Sequence, residues 1–232
     1  MINMCTIILG PMFSGKTTTL CVCLSRDADV NKRVAYVNHS SDVRSVQRSY
    51  GSVTTHHSAK MAMSHKVHQM KLNDLSSLDF MQYSVIGIDE GQFFSKRDME
   101  IVKKWVLNGR KVYVSTLSGD FKMDTFGHVF DLLPICDKIM HLGAYCHFCL
   151  KKGIDRMANF TMKIGGSGNQ TEIGGEDLYR PVCLECHPLY INGRGSRETD
   201  VPGSDDGSKN VRVHSEVYHT LSQVGANEYQ VE

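Results

Sequence analysis

Three groups of residues in this sequence have the types and spacing to do chemistry. The first is Gly10-Pro11-Met12-Phe13-Ser14-Gly15-Lys16-Thr17, a G-x-x-x-x-G-K-[ST] pattern. Glycines at both ends let the backbone curl so that successive N–H groups point inward at phosphate oxygens. Lys16 adds a mobile positive charge for β- and γ-phosphates, and the Thr17 hydroxyl is placed to hold Mg²⁺. A helix starting near Lys16 aims its positive end at the same anion. A glycine-punctuated turn can match this pattern by chance. Here the run follows an apolar stretch, Thr6 to Leu9, and precedes a helical one, which is where an ATP-phosphate site needs it.

The second group is Asp89-Glu90, delivered at the end of the apolar run Val85-Ile86-Gly87-Ile88. Alternation along a strand aims neighbouring residues at opposite faces, so the two carboxylates are expected to have separate jobs. Asp89 would hold Mg²⁺, directly or through water, and Glu90 would face an acceptor substrate as general base. The bland reading is a polar strand end that caps the next helix. The phosphate loop, however, needs a partner of this kind in the same sheet.

The third group is Cys146-x-x-Cys149 and Cys183-x-x-Cys186, with 33 residues between the pairs. Each pair can form a knuckle of two thiolates, and together they supply four tetrahedral ligands with no open position, a structural Zn²⁺ site. His147 and His187 adjoin the pairs and are not counted among the ligands. The intervening segment from Lys163 to Tyr179 is glycine-rich, so a metal clip at its base and mobility at its tip would make it a lid. The other four cysteines, Cys5, Cys21, Cys23 and Cys136, lie in apolar or helical surroundings. That uneven usage fits a reducing compartment rather than a disulfide framework, and a cytoplasmic location is expected.

The elements that must position these groups can be read along the chain. The spacing predicts a helix over 17–27 and a buried strand over Arg33–Asn38, giving a βαβ unit and a parallel sheet. Ligands in such sheets gather at the carboxyl ends of the strands, which places Asp42 and Arg44 in the following loop near the phosphates. A solvated charge pair is the equally good alternative for those two. Val53–His56 reads as a short strand, whereas Lys60 to Leu78 carries no clean period. His56, His57, His65 and His68 lack the spacing of a helical metal motif and read as surface or partly packed residues. Ser95 is placed to cap a helix through about Leu107, with Ile101, Val102, Trp105 and Val106 as its apolar stripe and Gly109 ending it. Lys111–Thr116 and Ile139–Leu142 complete the predicted sheet, with a weakly amphipathic stretch over 126–133 between them.

Composition excludes several function classes. The chain of 232 residues is 41% hydrophobic and 22% charged, which suits a folded core. With 26 basic and 25 acidic residues the net charge is +1, and no basic stripe with interleaved aromatics marks a nucleic-acid surface. No apolar stretch is long enough to span a bilayer, and the first ten residues lack the positive region of a signal peptide. Neither nucleic acid nor membrane is therefore expected as a partner. Residues 193–232 hold four basic and seven acidic side chains and few large apolar ones, and read as a disordered tail.

Taken in order, Gly-Pro-Met-Phe-Ser-Gly-Lys-Thr, Asp42-x-Arg44, Ile88-Asp89-Glu90-Gly91-Gln92-Phe93-Phe94, and cysteine pairs around Gly174-Gly175-x-x-x-Tyr179 resemble the type II thymidine kinase family over about residues 5–187. The resemblance implies an α/β fold with a P-loop NTPase-like parallel sheet flanked by helices over 1–143. A small zinc-bound lasso domain over 144–191 and the tail over 192–232 would follow. It implies transfer of the γ-phosphoryl of ATP to the 5′-hydroxyl of thymidine, giving thymidine monophosphate for DNA synthesis, with feedback by the triphosphate product and assembly as a homotetramer. Glu90 is then the base, and Lys16, Thr17, Asp42, Arg44 and Asp89 serve phosphates and Mg²⁺. Met12, Phe93, Leu117, Phe121, Phe126 and Tyr179 would line the nucleoside pocket. Lasso backbone around Thr161 and over Glu172, Ile173 and Gly174 would read the pyrimidine edge. The chain departs from the family pattern at Asn38-His39-Ser40-Ser41, which lacks a Lys-Pro, at Ser45, where an aromatic is usual, and at Lys122-Met123-Asp124-Thr125. Two other classes compete: a P-loop kinase or ATPase with a different acceptor, and a zinc-knuckle nucleic-acid binder with a vestigial nucleotide site.

Overall fold

In the computed structural model, residues 4–30, 32–41, 52–54, 60–165, 169–172, 174–175 and 177–197 are described. The strands of the main sheet are β1 (Met4–Gly10), β2 (Val34–His39), β5 (Val67–Leu72), β6 (Val85–Asp89), β7 (Lys111–Leu117) and β8 (Lys138–His141). A short antiparallel hairpin, β3 (Ser52–Thr54) with β4 (Lys60–Ala62), lies between β2 and β5 in sequence. The sheet order is β5-β2-β6-β7-β1-β8, and every neighbouring pair is parallel.

Side-chain alternation explains why this sheet is covered on both faces. Ala35, Val37, Ile86, Ile88, Val112 and Val114 point to one side, where helix α2 (Lys96–Leu107) buries Met99, Val102, Trp105 and Val106 against them. Val34, Tyr36, Val85 and Tyr113 point to the other, where helix α1 (Lys16–Asp29) lays down Leu20, Cys21, Leu24 and Ala28. Gly87 allows the close approach of α1: a Cβ there would come within 2.5 Å of Leu24. Helix α2 begins as its sequence predicts, with a capping box in which Ser95 and Asp98 satisfy each other's backbone N–H. Gly109 follows at φ 79°.

Three features differ from the sequence reading. Strand β5 falls inside the stretch without a clean period: it is an edge strand with only Val67 fully buried, so its outward His68 and Lys71 erase the alternation. The stretch near 126–133 forms 3₁₀ turns over Val129–Ile135, with Pro134 within them. Helix α4 (Pro188–Arg197) carries regular structure into the stretch from 193 that composition read as a disordered tail. Asp42, Arg44, Ile173, His56, His57 and residues 198–232 lie outside the described residues.

Beyond β8 the chain builds a smaller unit from β9 (Ala144–Tyr145), α3 (His147–Leu150), β10 (Met157–Ala158), β11 (Phe160–Lys163) and β12 (Tyr179–Val182). Its strands pair antiparallel as β9 with β10 and β11 with β12. Ala144, Cys146, Cys149, Ala158, Met162, Val182 and Cys183 form its own small core. No helix of the described residues is long and apolar enough to cross a membrane.

Candidate functional site

The carboxyl ends of β1, β6 and β7 converge on one edge of the sheet, and the site is built there. From Gly10 the chain turns through Phe13, held at φ 65°, to Gly15 at φ 80°, which caps α1 in the left-handed region. Glycine tolerates that conformation at no steric cost. Ser14 Oγ donates to the Pro11 carbonyl at 2.8 Å and Lys16 Nζ donates to the same oxygen at 2.6 Å, so the loop is tied across its own width. Lys16 and Thr17 are both buried.

Strand β7 lies between β1 and β6, yet α1 carries Thr17 back across the sheet to Asp89. Thr17 Oγ1 donates to Asp89 Oδ2 at 2.9 Å, and Tyr36 on β2 donates to the same oxygen at 2.9 Å. A buried hydroxyl beside a buried carboxylate is a donor set suited to Mg²⁺. Glu90 then leaves the strand. Its φ of 53° puts it in the left-handed region just past the end of β6, so strand alternation does not set its direction. For a non-glycine residue this conformation is strained, and such strain concentrates at functional sites. Gln92 holds the carboxylate: its amide donates to Glu90 Oε2 at 2.5 Å. Its own carbonyl accepts from Thr116 Oγ1 at 3.1 Å and from the Leu117 N–H at 3.3 Å.

Next to these groups Met12, Leu117, Phe126 and Tyr179 form a buried apolar cluster, with Phe13, Phe93, Phe121 and Leu178 packed against it. The six pocket residues expected from sequence, drawn from five separate segments, thus come together. Phe93 and Phe126 meet edge to face at 5.7 Å between ring centroids. Tyr179 donates its hydroxyl to the Glu172 carbonyl at 2.5 Å. Burial, and next the Glu172 carboxylate, raise the Tyr179 phenol above its ordinary pKa, so it stays a donor at neutral pH. Thr161 is buried, but its side chain is turned to the Gly10–Thr17 loop: Oγ1 accepts the Met12 N–H at 3.0 Å. Gly174 sits tight under Leu178, where a Cβ would come within 2.4 Å.

The four predicted ligand cysteines gather into one cluster. Their sulfurs all lie within 4.8 Å of one another, with Cys149 at 3.8 Å from Cys183 and 3.7 Å from Cys186. A tetrahedron of thiolates about 2.3 Å from a central zinc has edges of about 3.8 Å, and the donor set is the all-sulfur one that zinc prefers. The residues therefore fit the metal. His147 and His187 do not join the cluster, and His187 Nδ1 instead accepts the Leu189 N–H at 3.3 Å. Burial pushes the Cys5 and Cys21 thiols up to about 12, which keeps them protonated and inert. His65 and His68 are exposed, and neither belongs to a metal-binding group among the described residues.

Sequence reasoning assigned no role to Tyr36, Gln92, Asp120, Lys163 or Gln170. Gln92 stands inside the Asp-Glu-Gly-Gln-Phe-Phe run, which was a usable signal. Nothing local marks the others: Tyr36 and Asp89 are 53 residues apart, Asp120 and Gln170 are 50 apart, and Lys163 meets Glu172 nine residues on, across a loop with no periodic pattern.

The comparisons with known proteins agree with this geometry. The family model described as Thymidine kinase matches residues 3–187. A thymidine kinase of Amsacta moorei entomopoxvirus is 36% identical over 182 residues, covering 78% of this chain and 96% of the relative. One from Oryza sativa subsp. japonica is 36% identical over 198 residues, covering 81% of this chain and 66% of the relative. One from Variola virus is 32% identical over 182 residues, covering 78% and 94%. With the Gly10–Thr17 loop, the paired carboxylates and the cysteine cluster all inside the matched span, the chain belongs to the thymidine kinase family.

Proposed function

We propose that this chain transfers the γ-phosphoryl group of ATP to the 5′-hydroxyl of thymidine. The observation that carries the reading is adjacency: the Thr17–Asp89 pair and the Gln92-held Glu90 stand beside the cluster of Met12, Leu117, Phe126 and Tyr179. The backbone N–H groups of Phe13 to Gly15 and the Lys16 ammonium would hold the donor phosphates, joined by Arg44, with Asp42 serving their Mg²⁺. When bound, Mg²⁺ held by Thr17 and Asp89 would neutralise charge shared by the β- and γ-phosphates.

The Glu90 carboxylate takes the proton of the 5′-hydroxyl as the oxygen bonds to the γ-phosphorus, and the bond from that phosphorus to ADP breaks. In such a reaction most of the acceleration comes from positioning and charge neutralisation, with the base a smaller term. The aromatic wall of Phe93, Phe121 and Phe126 would stack on the base, with Met12, Leu117 and Tyr179 around the thymine methyl. Backbone of the segment 172–174 would pair with the ring, so hydrogen-bond mismatch more than methyl fit excludes cytosine. The four cysteines would hold a structural zinc that clamps the base of β11 and β12. A homotetramer in a cytoplasmic setting belongs to the same reading, and light scattering tests the assembly.

ADP release from Mg·ATP with thymidine, deoxyuridine, deoxycytidine, deoxyguanosine or no acceptor tests the function. Stimulation by thymidine, alone or with deoxyuridine, is the expected result. Stimulation only by another nucleoside overturns the assignment of the pocket, and acceptor-independent turnover makes the chain an ATPase.

A further inference from the structure

Lys163 is a buried lysine that the phosphoryl-transfer chemistry does not use. It ends β11, at the base of the glycine-rich segment, and its side chain is only 6% exposed. Burying an ammonium is unfavourable unless it is paired, so its surroundings carry information. Its Nζ meets Glu172 Oε2 at 2.5 Å and donates to the Asn169 carbonyl at 3.2 Å. The same ammonium lies 4.9 Å from the centroid of the Phe121 ring and 5.9 Å from that of Tyr179. Both rings belong to the apolar cluster beside Glu90. Glu172 is engaged twice, through its carboxylate by Lys163 and through its carbonyl by the Tyr179 hydroxyl.

A second tie fastens Gln170 to the loop that follows β7. Gln170 Nε2 donates to Asp120 Oδ2 at 2.7 Å and to the Thr125 carbonyl at 3.3 Å. Asp120 is buried and already fixed, since its Oδ1 accepts the Lys122 and Asp124 N–H groups at 2.8 and 2.9 Å. Residues 169–172 are thus held at two points, by Lys163 and by the loop after β7.

We propose that Lys163 and Glu172 form a charged clasp, with Asp120 and Gln170 as its second point, that sets residues 169–172 against the nucleoside pocket. They are positioning residues: through the side chains of Glu172 and Gln170 they fix the backbone that faces the base. Fastening the segment before the nucleoside arrives removes ordering entropy from the binding step, which is the physical advantage of such a device. Loss of the clasp therefore weakens nucleoside binding and leaves the phosphate site unaffected.

The inference rests on the reading of the pocket as a nucleoside site, and the test separates the two. Lys163→Met keeps the stem and removes the charge, Glu172→Gln removes the partner's charge, and Lys163→Arg restores the cation. In full-length protein, Lys163→Met and Glu172→Gln should each raise KM for thymidine about 10- to 100-fold, as loss of one partner of a shielded ion pair does. The KM for ATP and kcat should stay within about threefold, Lys163→Arg should recover most of the loss, and the double variant should be no worse than the poorer single one. Hydrogen exchange of residues 169–172 without nucleoside gives a second readout, faster in Lys163→Met than in the parent or in Lys163→Arg. Unchanged exchange, unchanged KM for thymidine, or a parallel rise in KM for ATP overturns the clasp. Failure of the parent protein to turn over thymidine, with exchange behaving as stated, overturns the function reading and leaves the clasp standing.

Discussion

Replacing Gln92 by Leu isolates the device that aims the proposed base. Gln92 is buried, and leucine keeps its approximate volume while removing its three hydrogen bonds, to Glu90, Thr116 and Leu117. The bond to the carboxylate is charge-assisted, worth about 1.5–3 kcal/mol. If that energy is spent holding Glu90 in line with the acceptor hydroxyl, kcat falls by roughly 10- to 10²-fold. The ceiling is set by Glu90→Gln, which should lower kcat by about 10² to 10⁴ while leaving ATP binding nearly intact. The decisive quantity is the coupling between the two. A carboxylate that is absent cannot be misaligned, so Glu90→Gln/Gln92→Leu should be no slower than Glu90→Gln alone. The assay is steady-state ADP release at saturating ATP and thymidine, with thermal melting alongside. A stability loss of about 1–3 kcal/mol is expected, because the Leu117 N–H is left without its acceptor. Multiplying effects in the double variant, or wild-type kcat in Gln92→Leu, would refute the reasoning.

Two further outcomes follow from the structure. Metal analysis of the purified protein should find about one zinc per chain, and chelation should abolish thymidine binding, since β11 and β12 depend on the cysteine clip for their base; a metal-free protein that binds thymidine normally sinks the site. At the opposite end of the sheet, burial would raise the pKa of Asp27, but ion pairs with Lys111 at 2.8 Å and Lys32 at 2.6 Å outweigh it and hold the carboxyl below its ordinary value of 3.8. A depressed pKa contributes stability above that ordinary value and loses it as pH falls further. Asp27→Asn should therefore be less stable at pH 7 and lose stability less steeply below about pH 4, as read from urea unfolding across that range; parallel pH slopes for the two proteins would contradict the pairing.

Much of the site was legible in the sequence because its chemistry is local. The curl from Gly10 to Thr17, the carboxylates at the end of an apolar run and the two cysteine pairs each depend on residues a few positions apart, and backbone geometry alone limits where such residues can point. The parallel sheet was legible for the same reason, since β1, β2, β6 and β7 are buried on both faces and read as continuous apolar runs. Edge strand β5 was not, because only Val67 is fully buried and the exposed His68 and Lys71 fall on opposite faces, so no periodic signal survives. The tertiary structure alone decided the rest. It braced Gln92 on Thr116 and Leu117, turned Thr161 toward Met12, brought Tyr36 to Asp89 and joined Asp120 to Gln170. Those choices depend on which distant segments are brought within about 3 Å of one another. That distance is set by packing across the whole sheet, and no spacing along the chain encodes it.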